Sequence, residues 1–224
     1  MELGKVTKTR QSERKRGYDD ACGLAHALEL IGERWALLVM RELMFGPRRF
    51  SGLRRDLPGI SANVLTQRLA ELEERGLVRR TKLPPPASVQ VYEATEWGLE
   101  AAPMLRALGK WAVRSQCHDP SRPVSPVSIM MSMQTMFQPG FANVFVARAG
   151  FRFGDTTYTA DIHDGRIDVK RGPIENCDFT VTAAPEELAG VLYGAAPIDA
   201  ISIEGDLALA KRFVTLFPLP PKVA

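Results

Sequence analysis

Apolar residues recur at helical spacing soon after the start of the chain. Leu24, Leu28 and Ile31 share one face of a helix over 22–31, and Trp35, Leu38, Val39 and Leu43 share one face of a second over 33–44. Gly46-Pro47 interrupts the pattern, Phe50, Leu53 and Leu57 mark a short third helix, and Pro58-Gly59 ends it. Ser61 then offers its hydroxyl as the cap of a fourth helix, which carries Val64, Leu65, Leu69 and Leu72 and stops at Gly76. At Leu77 the period changes. Residues 77–81 and 89–92 read as strands around Pro84-Pro85-Pro86-Ala87-Ser88, which predicts a hairpin with a stiff tip. Thr95 caps a long amphipathic helix bearing Leu99, Leu105, Leu108 and Trp111, with Pro103 either kinking it or marking its restart.

Between Cys117 and Val127 the period is lost and three prolines appear, as in a linker. Beyond it, Ile129, Met130, Met133, Met136 and Phe137 line one face of a helix over 127–137. Strand patterns follow at 144–147, 158–162, 167–169 and 179–181, separated by turn residues such as Asp164-Gly165 and Gly172-Pro173. Two helices, over 185–193 and 206–217, close the chain. The expected class is α+β: an N-terminal winged helix-turn-helix domain, then an antiparallel sheet covered by helices. The expected divisions are a basic flexible arm over 1–17, a DNA-binding and dimerisation domain over 18–117, a linker over 118–126 and a second domain over 127–224.

Composition narrows the function classes. At 224 residues the chain is long enough for two cores, and 45% hydrophobic with 25% charged residues is the balance of a soluble globular protein. Three widely spaced cysteines, Cys22, Cys117 and Cys177, argue against a disulfide scaffold and for a reducing cytoplasm. The polar start lacks the apolar block of a secretory leader, and the longest uncharged stretch, between Arg122 and Arg148, is too polar to span a bilayer. His26, His118 and His163 have no Cys or carboxylate partners at metal spacing, and no phosphate loop or nucleophile elbow occurs. The reading is therefore of a protein without enzymatic activity, metal or cofactor. Charge is uneven: residues 1–120 hold 20 Lys+Arg against 15 Asp+Glu, while 121–224 hold 9 against 11. The basic half is the candidate for nucleic acid.

Helices, a short turn and a basic hairpin in this order form a winged helix-turn-helix, whose later helix enters the major groove. With the apolar set of the fourth helix turned to the core, Ser61, Asn63, Thr66, Gln67 and Arg68 are left near its N-terminal end to meet base edges. Asn and Gln pair bidentately with adenine, and Arg with guanine. Arg48, Arg49, Arg54 and Arg55 before that helix, and Arg79, Arg80 and Lys82 on the hairpin, are placed to neutralise phosphates of double-stranded DNA. The plainer alternative is a solvated basic face on a helical bundle.

Several runs carry a family resemblance: residues 27–38, Arg41-Glu42-Leu43, residues 46–54, residues 57–61 and Leu65-Thr66-Gln67-Arg68-Leu69 resemble the HxlR-type winged-helix regulators over 22–115. Tyr92, Thr95, Trp97 and Gly98 fall in the Tyr-x-x-Thr-x-x-Gly-like region of that family. The resemblance implies a homodimer built through the first helix and the long helix after the wing. It would meet an inverted repeat with half-sites roughly 34 Å apart. Cys22 sits where many members carry a cysteine that senses oxidants or electrophiles in some of them, although Gly23 replaces the usual proline. A thiol sensor and a small residue at a dimer seam are both open readings of Cys22.

Residues 164–167, 178–183, 185–188, 192–194 and 203–209 resemble the sterol-carrier-protein fold over about 127–218. That resemblance implies a pocket for a small apolar or amphipathic ligand between sheet and helices, lined by Met130, Met133, Phe137, Phe145, Tyr158, Leu188, Leu192, Phe213 and Phe217. The alternative is a filled core that serves dimerisation or spacing. Three functions are thus carried forward: a ligand-biased DNA-binding regulator, a thiol-based regulator acting through Cys22, and an apolar-molecule carrier.

Overall fold

The computed structural model describes residues 17–142 and 145–223. The expected basic arm, apart from Gly17, lies outside these residues, as does Val144 of the first strand pattern of the second half.

In the first half the helices are α1 (Gly23–Ile31), α2 (Ala36–Leu43), α3 (Phe50–Asp56) and α4 (Ala62–Glu74), followed by a hairpin of β1 (Val78–Lys82) and β2 (Gln90–Ala94). Val39, Met40 and Leu43 of α2 meet Leu53 of α3 and Leu65, Leu69 and Leu72 of α4 in one buried cluster, so the stripes read for α3 and α4 close on α2, whereas Leu38 of the α2 stripe and Leu24 and Leu28 of the α1 stripe stand exposed. As the sequence indicates, Ser61 caps α4 by accepting from the Val64 amide at 3.2 Å. Pro103 marks a restart rather than a kink: α5 (Glu96–Leu99) ends before it, and the proline occupies the first turn of α6 (Ala102–Ala112).

Thr95 joins the wing to these helices. Its hydroxyl donates to the Gly76 carbonyl at 2.7 Å and accepts from the Gly98 amide at 3.0 Å. Gly98 is required there because a Cβ would stand 2.1 Å from the Leu77 carbonyl oxygen. The spacing of Thr95 and Gly98 thus has a packing cause.

The second half contains α7 (Pro126–Met136), α8 (Pro139–Ala142), β3 (Ala147–Phe153), β4 (Thr156–His163), β5 (Arg166–Arg171), β6 (Phe179–Thr182), α9 (Pro185–Tyr193), β7 (Ser202–Gly205) and α10 (Leu207–Phe213). Ser125 and Pro126, read as linker, are the cap and first residue of α7. The expectation of one apolar face on this helix needs correction: Val127, Ile129, Met130, Met131, Met133 and Met136 are all buried, because α7 packs both on the sheet half and against α2 and α6.

The sheet order is β5-β4-β3-β6-β7, and β3 and β6 run parallel, so the expected antiparallel sheet is in fact mixed. The reason lies between β5 and β6. β3, β4 and β5 form a meander, after which residues 172–178 cross back to the far side of β3. The crossing passes over Gly150, where a Cβ would lie 2.6 Å from Ile174 Cγ2 and 3.3 Å from Cys177 Sγ. A glycine in mid-strand makes room for that segment. On the opposite face Ala149, Phe151, Tyr158, Ala160, Phe179 and Val181 alternate inward and share one core with α7, α9 and α10. The strand predicted at 144–147 begins at Ala147, and β7 carried no recognisable pattern because only four residues pair and none is buried.

The halves meet along α2, α6 and α7. Glu42, fully buried, accepts from Ser125 Oγ at 2.6 Å and from Arg41 at 2.8 and 3.0 Å. Beside it, the Phe45 ring meets Tyr158 edge-on at 5.8 Å, and Arg171 donates to the Tyr158 hydroxyl at 3.1 Å. The C-terminal segment returns to the end of α6, where Lys222 Nζ donates to the carbonyls of Val113 and Ser115, answering the negative end of the helix. No helix of the described residues is long and apolar enough to cross a membrane.

Candidate nucleic-acid interface

The turn from α3 into α4 is set by Gly59 at φ 89° and by the Ile60 amide donating to the Leu57 carbonyl. It delivers Ser61 as cap and leaves Asn63, Thr66 and Gln67 exposed on one stripe of α4, opposite the buried Leu65, Leu69 and Leu72. Gln67 is held by a hydrogen bond from its Nε2 to Glu71 at 3.1 Å. Ser61 is exposed as well, but its oxygen is engaged in the cap.

Arg68 does not join that stripe. It is only 7% exposed and pairs with Glu71 one turn along and with Glu33 from the segment before α2. Its guanidinium is therefore committed within the protein and is withdrawn from the base-reading set. The same correction applies to Arg48, also 7% exposed, whose guanidinium pairs with the buried Asp56. Its backbone exchanges two hydrogen bonds of 2.8 Å with Tyr92, pinning the α2–α3 turn to the wing. Arg48 is a structural tie rather than a phosphate contact. The sequence could not separate it from Arg49, since both follow Pro47 and only packing decides which one turns inward.

Arg49, Arg54 and Arg55 are exposed around α3, although Arg55 also donates to Asp56 Oδ1 at 2.8 Å. On the wing Arg79 is exposed and pairs across the strands with Glu93 at 2.8 Å. Arg80 lies 4.0 Å from Glu73, and Lys82 is exposed nearer the tip. Exposed pairs of this kind are worth at most about 1 kcal/mol, so the arginines can exchange a carboxylate for a phosphate. The structure thus gathers the exposed polar stripe of α4 and the exposed basic side chains of α3 and the wing within one half.

Cys22 is exposed at the start of α1, its amide bonded to Asp20 Oδ1 at 2.9 Å. Cys117 is also exposed, and burial pushes the Cys177 thiol up from its ordinary value.

The nine side chains expected to line a pocket are brought together, but against one another. Phe213 packs on Phe217 at 5.0 Å, Phe137 meets Phe217 at 6.0 Å, and Met130, Met133, Tyr158 and Leu188 are fully enclosed in the same core with Phe145 and Leu192. Two surface clefts occur elsewhere. One, of about 370 Å³, is polar and lies over β3, β4 and β5 near Arg148, Asp161, His163 and Asp168. The other, of about 510 Å³, opens where the two halves meet. Neither contains any of the nine residues. The buried seam of Glu42, Ser125, Tyr158 and Arg171 was not legible in sequence, because its members come together from residues far apart along the chain.

A family described as HxlR-like helix-turn-helix matches residues 30–119. Among curated relatives, the HTH-type transcriptional regulator YvaP of Bacillus subtilis (strain 168), itself uncharacterized, is 37% identical over 95 residues, covering 42% of this chain and 86% of the relative. The HTH-type transcriptional regulator YodB of the same organism is 36% identical over 86 residues, covering 38% of this chain and 77% of YodB. The solved structure of the reduced form of YodB aligns with a TM-score of 0.39 at 34% identity, over 43% of this chain and 95% of that one. With relatives covered over most of their length and the matching segment spanning α2 to the end of α6, the chain belongs to the HxlR-like helix-turn-helix family of transcriptional regulators.

Proposed function

We propose that the protein is a homodimeric, cytoplasmic repressor that reads an inverted-repeat operator with α4 and is biased by a small apolar or amphipathic molecule through its second half. The observation that carries the DNA reading is the stripe of Asn63, Thr66 and Gln67, exposed on a helix whose other side is wholly buried. Asn63 and Gln67 supply the base-specific contacts, while Arg49, Arg54, Arg79, Arg80 and Lys82 supply salt-dependent affinity for phosphates.

Dimerisation is supported by unsatisfied apolar surface. Leu24 and Leu28 on α1, and Met104, Leu108 and Trp111 on α6, stand exposed at helical spacing, and no side chain of α6 is buried. A second copy covering these faces would place two α4 helices on one side of the duplex, about one helical turn apart. In this reading the first unit spans 18–117, residues 118–124 join it to the second, which opens at the Ser125 cap of α7, and the second keeps the sterol-carrier-like plan of helices over one sheet face. Its task is binding rather than catalysis.

A second reading, a thiol switch at Cys22, is favoured by one observation, the exposure of that thiol at the start of α1. Selection of bound sequences from a randomised duplex library tests the principal reading. The wild type should enrich an inverted repeat, and Asn63→Ala or Gln67→Ala should relax the preference at one position of each half-site by about 1–3 kcal/mol. Identical enrichment by wild type and both variants would remove α4 as the reader.

A further inference from the structure

Between α2 and α3 the chain passes through a short turn, Phe45 to Arg48, and both halves of the molecule hold it. The hold is centred on one peptide group. Its carbonyl, that of Pro47, accepts from Arg171 Nη1 at 3.4 Å. Its amide, that of Arg48, donates to the Tyr92 carbonyl of β2 at 2.8 Å. A peptide unit is planar, with its C=O and N–H pointing in opposite directions, so fixing the carbonyl also fixes where the amide points. The second half and the wing thus grip the same rigid plane from opposite sides, and the two hydrogen bonds polarise one another.

Arg171 is itself held stiffly. It is the last residue of β5, opposite Tyr158 in the register. The next residue ties the strand end to β4: the Gly172 amide donates to the Thr157 carbonyl at 3.1 Å, and Thr157 Oγ1 donates to the Gly172 carbonyl at 2.7 Å. The guanidinium lies over the Tyr158 ring, 5.5 Å from its centroid, and the same ring meets Phe45 at the head of the turn. Packing alone does not call for an arginine here. Its Nε is enclosed without an acceptor, which costs stability that an apolar side chain would not lose. What the arginine adds is the contact to Pro47.

We propose that Arg171, oriented by Tyr158, is a positioning residue for DNA binding. The proposal rests on the regulator reading above and gives the second half a part in it that needs no ligand. By fixing the Pro47–Arg48 peptide, Arg171 sets the angle at which β2 meets the turn. It thereby sets the place of the wing relative to Arg49, the next residue and the cap of α3. Arg49, Arg79 and Arg80 meet phosphates together only when that angle is kept, and Arg171 acts through them without touching the duplex.

Arg171→Met keeps a long side chain and removes its donors, and the full-length protein offers three readouts. Without DNA, amide exchange followed by NMR should quicken at least tenfold at Arg48 and at Tyr92, whose amide donates to the Arg48 carbonyl, and stay unchanged at Leu69 in the core of the same half. The urea midpoint should equal or exceed that of the wild type, because a buried guanidinium has been replaced by an apolar chain. Affinity for the inverted repeat that the wild type enriches should fall at least fivefold, with base preference unchanged. Tyr158→Phe, which removes only a hydroxyl, should move exchange and affinity in the same direction by at least twofold. Unchanged exchange at Arg48 and Tyr92, or faster exchange with unchanged affinity, overturns the proposal. So does a urea midpoint that falls along with the affinity, which would make Arg171 an ordinary core residue. Failure of the regulator reading itself would appear separately, as a wild type that enriches no sequence while the exchange result stands.

Discussion

Arg48 and Arg49 are neighbours with opposite fates. Arg49 points to solvent, whereas Arg48 is sealed against Asp56. Removing one member of a buried pair leaves the other uncompensated, so Arg48→Ala should cost about 2–4 kcal/mol of folding stability, measured by urea denaturation. Arg49→Ala should leave stability within about 0.5 kcal/mol and lower the salt dependence of DNA binding instead. Equal stability of the two variants would contradict the assignment. The cysteines differ in the same way. Cys22 and Cys117 are exposed, while burial raises the Cys177 thiol and so reduces its thiolate fraction at any pH below its raised value. Mass spectrometry after brief iodoacetamide treatment at pH 8 should find Cys22 and Cys117 alkylated before Cys177; the reverse order would refute the burial argument.

At the scale of elements, α6 is the anomaly: an amphipathic helix with no buried side chain and with Trp111 71% exposed. Covering such a face in a second copy is worth roughly 25 cal/mol per Å² of apolar area. Trp111→Glu would bury a charge in that interface and should shift the protein from dimer to monomer in sedimentation velocity. A wild type that sediments as a monomer would contradict the dimer. The elements of the first half were legible because their signals are local: the Ser61 and Thr95 caps, the glycine stops and the helical stripes each act within a few residues. The mixed sheet was not legible in this way. Strand direction depends on the path of 172–178 over Gly150, and a period of two is the same in parallel and antiparallel strands. The site divides likewise. Asn63, Thr66 and Gln67 follow from the phase of α4, but the inward turns of Arg48 and Arg68 depend on Asp56, Glu71 and Glu33, and no periodicity selects those partners.

In the whole molecule the two halves are not beads on a linker. The buried Glu42 of the family-matched half accepts a hydrogen bond from Ser125 at the start of the second, and the C-terminal segment returns to the end of α6. Packed side chains thus connect the second half to α2 and α6. DNA reading by α4 and the wing is tested most directly by fluorescence anisotropy of the full-length protein on DNA from just upstream of its own gene, against a scrambled duplex, across a salt series. Tight binding to the first alone is expected, with log affinity falling linearly as log salt rises and the slope becoming shallower by about one when Arg79 or Arg80 is replaced. Equal, weak binding to both duplexes, indifferent to those arginines, would contradict it.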